Sequence, residues 1–449
     1  MAQYDVICIG GGHASWPVAA TLQKQGLQTL LIANDRLGGT CTSWGCDPKI
    51  LLDAPFEIMA EAARYRDIGL EGNLKLNWEA LQAYNRKVIA PLPGMLQNMI
   101  EQSGAQIVFG SARLTSPHTV LVNGKEHHAK KIVIATGRRA ATLNIPGAEY
   151  IRNSSDFLYT EHFPERIVFI GAGIISLEFA SMAVRMAREV VIITNGNTIL
   201  PQYYDRYSRK LLAQLEAEGV KFHFDQTLSS VVKRDEEYLV KTQSGLEIKT
   251  DYVLGASGRI PNVEGLGLEE AGVIFSQRGI PTDEQFRTNV PHIYASGDIR
   301  DTSIPRLTPT AFFEAGCIVQ HILGEAMPMT YPAVPNVVFT IPRIAQVGIS
   351  QKEAKNSDAY RSVDIDYGKQ MLFQTRNEKE AEVAVVLNKE GYLVGADIYG
   401  DFSGELINFL TLVINLKLTA RDLRGMIFAF PTHSFGAVKF ALENLLRQE

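Results

Sequence analysis

The chain has 449 residues, of which 46% are hydrophobic and 21% are charged, and its formal net charge at pH 7 is −5. This composition is typical of a folded protein of several domains and excludes disordered, collagen-like and coiled-coil chains. The basic residues form no block, and no apolar run approaches the roughly 20 residues that span a bilayer, so we expect neither a nucleic acid nor a membrane as partner. The sequence instead predicts small-molecule partners.

The cysteines are too sparse for the disulfide framework of a small secreted protein. The chain starts with Met1 and runs directly into an apolar segment, without the basic start and cleavage site of a secretory signal. We therefore predict a cytoplasmic protein in which any disulfide is catalytic rather than structural. The four cysteines are Cys8, Cys41, Cys46 and Cys317.

The first residues have the order strand, glycine turn, helix, strand. An apolar run, YDVICI, ends in three glycines, and a second apolar run, TLLIA, covers residues 29–33. Gly10, Gly12 and Ser15 occupy the positions of a glycine fingerprint, which lets the backbone approach a pyrophosphate at a helix N-terminus. We predict a dinucleotide site here.

The same pattern recurs between residues 166 and 194, where Gly171, Gly173 and Ser176 take the corresponding positions. In both copies serine replaces the third glycine or alanine, a change small enough to keep the helix close to the strand. A single glycine triplet is weak evidence, but two copies in the required context predict two dinucleotide sites.

Further strands connect and follow these modules. Asn123-Gly124 supplies the positive φ angles of a type I′ turn, so we expect a hairpin there and a final strand entering Ala135-Thr136-Gly137. A similar hairpin, EYLVKTQSGLEIKT, closes the second module. From about Tyr331 the pattern changes to antiparallel strands with a turn near residues 388–391, followed by helices from Gly404 and Ser434. This last part predicts an α+β interface domain.

The segment CTSWGC, from Cys41 to Cys46, carries the most specific signal. Two cysteines on a loop that enters a helix can close a disulfide, and the helix N-terminus would stabilise a thiolate at the nearer residue, Cys46. Asp47 has two explanations: it caps this helix, which we favour, or its charge disfavours the thiolate and shifts the redox balance. Pro48 suits the first helical position.

Gly38-Gly39-Thr40-Cys41 and Gly45-Cys46-x-Pro48 resemble the redox-active motif of the flavoprotein disulfide reductases, the family of glutathione reductase, dihydrolipoamide dehydrogenase and mercuric reductase. The resemblance continues, in family order, over nearly the whole chain. The matching segments are ATG at 135–137, GRIPN at 258–262, YASGD at 294–298, LTP at 307–309 and VVFTIPRIAQVG at 337–348.

The resemblance implies roles for individual residues. Cys41 would exchange electrons with the acceptor, and Cys46 would form a charge-transfer pair with the flavin. Lys49 would lie beside the flavin and pair with Glu178. Asp298 would bind the ribityl chain of FAD, and the segment from Leu307 to Thr310 would approach the ring. The cofactor-binding candidates are Gly10, Gly12, Ser15, Asp35, Gly39, Thr40, Thr136, Gly137, Gly171, Gly173, Ser176, Thr194, Asn195, Gly258, Arg259, Gly297, Asp298 and Thr308; no metal ligands are assigned.

Two cofactor positions depart from the family pattern. The acid expected at the end of the second strand, which holds the adenosine ribose of FAD, is replaced by Ala33, and Asp35 is a possible substitute. At the end of the corresponding strand of the second module stand Thr194 and Asn195. They are neither the carboxylate typical of NADH binding nor the arginines typical of NADPH binding, so both cofactors stay open, with a slight preference for NADPH.

The largest departure lies near the C-terminus. The family carries a histidine and a glutamate there that act as an acid–base dyad on the partner subunit's disulfide. This chain has Phe430 and Phe435 at those positions. His433 is a candidate to replace the missing acid, although we favour a position on the surface or at a helix start for it. His13, inside the first glycine turn, is interpreted as a tolerated turn residue.

The fold class predicted is α/β, with two doubly wound Rossmann-like dinucleotide-binding modules and a C-terminal α+β dimerisation domain. We expect an FAD-binding domain at residues 1–146 and 265–330, an NAD(P)-binding domain at 147–264 and the interface domain at 331–449. The family active site is assembled across two subunits, so a homodimer is expected.

Three hypotheses describe the activity. The protein passes electrons from NAD(P)H through FAD and the Cys41–Cys46 disulfide to a small disulfide. Alternatively, its acceptor is a metal ion, a quinone or another electrophile, and the two phenylalanines form an apolar pocket. A third reading is a redox-sensing flavoprotein with low turnover.

Overall fold

The computed structural model describes residues 2–66, 68–325 and 330–448. The first part of the chain forms alternating strands and helices followed by a strand meander. In chain order these are β1 (Ala2–Ile9), α1 (Trp16–Lys24), β2 (Thr29–Ala33), a π-helical turn (Thr40–Trp44), α2 (Cys46–Arg64), α3 (Trp78–Ile89), α4 (Leu92–Gln102), β3 (Gln106–Phe109), β4 (Arg113–Ser116), β5 (Thr119–Val122), β6 (Lys125–Ile134) and β7 (Arg138–Ala140).

The strands β1 to β6 form one sheet in the order β3-β2-β1-β6-β5-β4. β1 lies at its centre, parallel to β2 and β6, and its residues Val6 to Cys8 are fully buried, as expected for a strand covered on both faces. The hairpin predicted at Asn123-Gly124 is confirmed, since both residues have positive φ and β5 pairs antiparallel with β6. The final strand into Ala135 is not separate from this hairpin, because β6 runs continuously to Ile134.

The second part repeats the parallel arrangement. β8, which precedes the second glycine turn, is central in a four-stranded parallel sheet of order β10-β9-β8-β14. The predicted second hairpin is confirmed as β12 and β13. The elements are a 3-10 turn (Ala148–Tyr150), α5 (Ser154–Leu158), β8 (Arg166–Ile170), α6 (Ile174–Ala183), β9 (Glu189–Ile193), α7 (Asp205–Glu218), β10 (Val220–His223), β11 (Leu228–Arg234), β12 (Glu237–Thr242), β13 (Glu247–Thr250), β14 (Tyr252–Gly255) and β15 (Arg259–Pro261).

The chain then returns to the first sheet. β15 pairs with β7, and the next strand, β16 (Ile293–Ala295), pairs in parallel with Ile132–Ile134 of β6. The other half of β6, from Lys125 to His128, pairs with β5. One half of β6 therefore pairs with β5, which directly precedes it, and the other half pairs with β16, which lies much later in the sequence. A 3-10 turn (Gly297–Ile299) and α8 (Thr308–Ile322) follow.

The C-terminal part is a five-stranded antiparallel sheet of order β17-β18-β21-β20-β19 with α11 packed against it. The turn predicted near residues 388–391 joins β20 to β21. The elements are β17 (Asn336–Val338), β18 (Ile344–Gly348), α9 (Gln351–Lys355), β19 (Tyr360–Ile365), α10 (Met371–Gln374), β20 (Glu382–Asn388), β21 (Leu393–Tyr399), α11 (Ser403–Leu416), α12 (Ala420–Arg424), a π-helical turn (Ser434–Lys439) and α13 (Phe440–Leu445).

The predicted fold class is confirmed: two modules built on parallel strands precede a separate α+β unit. α2 lies between them, and its residues Leu52 and Phe56 are buried in a core cluster that also contains Phe179 of α6 and Ile344 of β18. Among the helices in the described residues, none has both the length and the apolar character needed to cross a membrane.

Candidate functional site

A long groove in the first module collects most of the predicted cofactor residues. It consists of two adjoining cavities of about 650 and 390 Å³, which share lining residues such as Gly12, Thr40 and Gly137. The larger cavity is also lined by Gly10, Asp35, Gly39 and Thr136. The smaller cavity is also lined by Cys41, Cys46, Lys49, Glu178, Arg259, Gly297, Asp298 and Thr308.

The two glycine turns have the same construction. Gly10 has φ +123°, and a Cβ there would lie 2.2 Å from the Ala135 carbonyl oxygen. Gly171 has φ +103°, and a Cβ would lie 2.7 Å from the Ala256 carbonyl oxygen. Only glycine tolerates this conformation and this approach of the neighbouring strand. Gly12 and Gly173 have open space where a side chain would stand, so the backbone is accessible to a ligand.

Ser15 and Ser176 lie behind these turns rather than in the groove. Both side chains are fully buried, and neither hydroxyl oxygen has a hydrogen-bond partner. The burial of Ser15 and Ser176 agrees with the expectation that a serine at this position lets the helix pack close to the strand.

The inner end of the groove fits a polyhydroxylated, negatively charged ligand. Burial raises the pKa of Asp298, and the nearby Arg259, Arg306 and Arg138 oppose that rise. The Nε atoms of Arg138 and Arg306 are buried without a partner. Phosphate oxygens and hydroxyl groups would satisfy such atoms, so the residues present fit a flavin nucleotide.

The larger cavity has no carboxylate at the end of β2, the position at which the family pattern has an acid. Ala33 ends β2 and is buried, while Asp35 lines the cavity. One Asp35 carboxylate oxygen accepts a hydrogen bond from Trp44 Nε1 over 3.1 Å. Asp35 thus lies at the cavity two residues beyond the strand end, where a side chain of the cysteine segment holds it.

The cysteine segment forms a tight loop. Gly38 and Gly39 both have positive φ, and the π-helical turn from Thr40 to Trp44 leads into α2 at Cys46. The Tyr159 hydroxyl donates to the Ser43 carbonyl oxygen over 2.7 Å. This contact fixes the middle of the loop from outside.

The two thiols contact each other and differ in acidity. Both cysteines are free, and they share a hydrogen bond. That bond, with smaller contributions from Thr308 and Lys49, lowers the pKa of Cys46 to about 6 against opposing desolvation. The same partnership and burial raise the pKa of Cys41. The surroundings of the pair therefore favour the thiolate at Cys46 over Cys41.

The preferred interpretation of Asp47 was wrong. α2 begins at Cys46 with Gly45 at the N-cap, and no side chain caps it. Pro48 is consequently the third residue of the helix rather than the first. The π-helical turn starts the helix earlier than a cap at Asp47 would. What the Asp47 carboxylate does is raise the pKa of both cysteines.

Lys49 and Glu178 meet as the resemblance implies. Lys49 Nζ lies 3.1 and 3.2 Å from the two carboxylate oxygens of Glu178. Glu178 Oε1 also accepts the Phe339 backbone N–H over 2.8 Å, and Lys49 Nζ stands 3.7 Å above the Phe339 ring centroid. α2, α6 and the segment after β17 thus meet at one buried charge pair.

The second module presents an uncharged turn after β9. Thr194 is buried, and its hydroxyl oxygen accepts the Gly196 N–H over 3.2 Å. Asn195 and Asn197 are exposed beside it. Thr136 and Asn262 exchange two hydrogen bonds, of 2.8 and 2.9 Å, which join the ATG and GRIPN segments next to the groove.

The C-terminal candidates separate into an exposed and a packed group. Phe430 is 73% exposed, and its ring contacts Phe435 at a centroid distance of 5.3 Å. His433 packs in the C-terminal unit, stacked on Phe402 at 3.9 Å and edge-on to Phe373 at 4.6 Å. Burial lowers the pKa of His433. Within the chain it does not join Cys41 in the groove.

Sequence reasoning did not single out Phe339, Arg138 or Arg306. Phe339 lies inside the matched segment VVFTIPRIAQVG, and the two arginines adjoin the ATG and LTP segments. The position of each arginine directly beside a matched segment, ATG or LTP, was the sequence signal that could have identified it. In the part of the chain that the structure describes, no cluster of three or more His, Cys, Asp or Glu side chains could hold a metal ion.

Comparisons with known proteins agree with this geometry. The family model described as pyridine nucleotide-disulphide oxidoreductase matches residues 4–315, and the model of its dimerisation domain matches residues 334–439. A dihydrolipoyl dehydrogenase of Bacillus subtilis (strain 168) is 32% identical over 445 residues, which is 95% of both chains. A glutathione reductase of Burkholderia cepacia is 31% identical over 437 residues, 96% of both chains.

A solved structure supports the fold. The HOCl-induced flavoprotein disulfide reductase RclA from Escherichia coli superimposes with a TM-score of 0.87, covering 98% of this chain and 100% of its own, at 24% sequence identity. Together with the groove and the cysteine pair, the matches show that this chain belongs to the pyridine nucleotide-disulphide oxidoreductases, enzymes that use a flavin and a pyridine nucleotide.

Proposed function

We propose that the protein binds FAD in the groove and carries electrons from NADPH or NADH to the Cys41–Cys46 pair, and from there to a small acceptor. The observation that carries this proposal is the pair of cysteines at the inner cavity, in which Cys46 is the more acidic thiol. FAD, when bound, supplies two-electron chemistry between the nicotinamide and the disulfide.

The residues of the chain divide the remaining work. The thiolate is held at Cys46 by the Cys41 thiol, the Thr308 hydroxyl and the charge of Lys49. Glu178 keeps Lys49 in place. Cys41, protonated in the reduced pair, is the sulfur that exchanges with the acceptor. Asp298 and Arg259, which line the inner cavity, would hold the ribityl and phosphate part of FAD.

We further propose a homodimer. The dimerisation-domain match covers residues 334–439, which include strongly exposed apolar side chains. A second copy would cover these side chains, whose exposure otherwise carries a free-energy cost. They are Met371, Leu412, Leu416, Ile427 and Phe430.

An anaerobic titration tests the proposed electron route. Purified protein loaded with FAD should show a long-wavelength thiolate-to-flavin absorption band after two electrons from NADPH or NADH. Flavin bleaching without that band would contradict the role of the cysteine pair, because electrons would then bypass it.

The pyridine nucleotide preference should be weak. Neither a carboxylate nor an arginine follows β9, so Thr194 and Asn195 themselves neither attract nor repel the charge of a 2′-phosphate. We expect kcat/KM values for NADPH and NADH within about tenfold of each other, in line with a difference below ~1.4 kcal/mol. Stopped-flow reduction with each cofactor measures this. As a gain-of-function check, Thr194→Glu should shift the ratio toward NADH.

Two acceptor classes fit the site. A small disulfide is the acceptor expected from the family. A non-disulfide acceptor, such as a metal ion, a quinone or another electrophile, is favoured by Phe430 and Phe435, because they offer no proton to a leaving thiolate.

The double variant Phe430→His/Phe435→Glu distinguishes the two classes. If the missing dyad limits disulfide reduction, this variant should gain about 100-fold in glutathione disulfide reduction, a typical value for general acid catalysis. Its quinone reduction should fall at the same time. Phe428→His, a change beside the same segment, serves as the matched control. No gain in disulfide reduction would contradict the missing-dyad explanation.

A further inference from the structure

His13, in the first glycine turn, has a more defined environment than a tolerated turn residue needs. Trp16 Nε1 donates a hydrogen bond to His13 Nδ1 over 2.9 Å. An indole nitrogen can only donate, so Nδ1 carries no proton and the neutral ring keeps its hydrogen on Nε2. Trp16 therefore fixes His13 in one tautomer.

The remaining hydrogen points toward the cysteine segment. Nε2 lies 3.3 Å from the hydroxyl oxygen of Thr42, the residue after Cys41. This is longer than an ordinary N–H···O hydrogen bond, so a better acceptor atom could replace Thr42. His13 lines the same cavity as Cys41, and its ring packs against Phe312 at 4.8 Å. An N–H donor thus lines the same cavity as Cys41, the cysteine proposed to exchange electrons with the acceptor.

The surroundings keep this ring uncharged. The groups in contact with it, Trp16 on α1, Thr42 on the π-helical turn and Phe312 on α8, are neutral. Asp47 on α2 is the charged group that raises the pKa of His13, but burial is the larger effect and the pKa is lowered overall. The two cysteines titrate in the same cavity. His13 therefore serves as a hydrogen-bond donor rather than as an acid.

We propose that His13 is the acceptor-side hydrogen-bond donor of this enzyme and favours acceptors that react through a carbonyl oxygen, the quinone class. This proposal rests on the proposed function, since electrons must first reach Cys41. Phe430 and Phe435 already favour a non-disulfide acceptor, and the N–H donor at His13 is a second, separate observation that favours it. A quinone oxygen takes a hydrogen bond from a neutral imidazole, whereas a leaving thiolate needs a proton that such a ring does not release.

The step balances without a further redox partner. The Cys41 thiol and the Cys46 thiolate together lose two electrons and form the disulfide bond. The quinone gains these two electrons, takes one proton from Cys41 and one from water, and leaves as the hydroquinone. His13 keeps its own proton and holds the reacting oxygen throughout.

Three variants test the proposal in the FAD-loaded protein, with menadione and glutathione disulfide as probes. His13→Phe keeps a ring against Phe312 but removes the donor, and should lower kcat/KM for menadione about tenfold, the usual effect of one hydrogen bond. His13→Gln returns an N–H donor and should recover most of that loss. Trp16→Phe frees Nδ1, so the menadione pH profile between 5.5 and 8.5 should gain a rise on the acidic side that the parent lacks.

His162→Phe, a change at a histidine whose side chain is 83% exposed, is the matched control. The ring ¹⁵N shifts of His13 give a readout besides activity and should show the Nε2–H tautomer in the parent. Menadione reduction by His13→Phe within twofold of His162→Phe, or an unchanged pH profile in Trp16→Phe, would overturn the proposal. Failure of the proposed function is separate, because the parent itself would then lack the charge-transfer band.

Discussion

Replacing Cys41 by serine is expected to give a protein with a permanent thiolate-to-flavin band before any reductant is added. Cys46 then has no disulfide partner, while a hydroxyl still donates to it in place of the thiol. Because the Thr308 hydroxyl and the charge of Lys49 still lower the pKa of Cys46, the band should be full at alkaline pH and disappear as the pH falls through the pKa of Cys46 in this variant. Acceptor reduction should fall at least ~1000-fold, as is usual when a nucleophile is removed.

The controls for this prediction come from the other cysteines. Cys46→Ser should lose acceptor reduction to the same extent but show no band at any pH. Cys317→Ser, on the half-buried cysteine of α8, should keep activity within about twofold. A band in Cys46→Ser and none in Cys41→Ser would show that the two roles are reversed.

Replacing Lys49 by methionine should destabilise the protein by about 3 to 5 kcal/mol, the usual cost of leaving one partner of a buried ion pair uncompensated. Glu178 is only 7% exposed and would keep just the Phe339 N–H. The same change removes a positive charge that lowers the pKa of Cys46. In a Cys41→Ser background, the midpoint of the charge-transfer band should therefore move to higher pH.

Denaturant unfolding measures the first effect and an absorbance titration the second. Lys241→Met breaks an exposed pair with Glu247 and should cost less than about 1 kcal/mol. Adding Glu178→Gln to Lys49→Met should restore most of the stability, since no buried charge is then left alone, but not the midpoint. An unchanged midpoint in Lys49→Met would show that this lysine does not stabilise the thiolate.

The parts of the molecule encoded by short segments could be predicted from the sequence. The glycine turns at Gly10 and Gly171 depend on a local φ and on the strand alongside, and the cysteine motif on neighbouring residues in one loop. The pairing of Lys49 with Glu178 came instead from the family resemblance, since nothing in either segment indicates a contact across 129 residues.

The remaining features depend on the folded geometry. Asp47 seemed suited to a helix cap, but the preceding π-helical turn places the helix start at Cys46. The neutral state of His13 follows from the direction of one indole N–H, which no composition or spacing reveals. His433 stacks on Phe402, the residue before α11. The two residues meet only in the folded chain, so the sequence could not predict this contact.

Because β6 pairs with both β5 and the much later β16, the two parallel sheets are completed at different stages of synthesis. The second parallel sheet is complete once Gly255 has left the ribosome, whereas the first sheet still lacks β16, which ends at Ala295. Asp298 and Thr308, which line the inner cavity, emerge later still. The nucleotide module encoded second therefore has its full set of strands before the one encoded first, and the inner cavity lacks part of its lining until more than two thirds of the chain has been made.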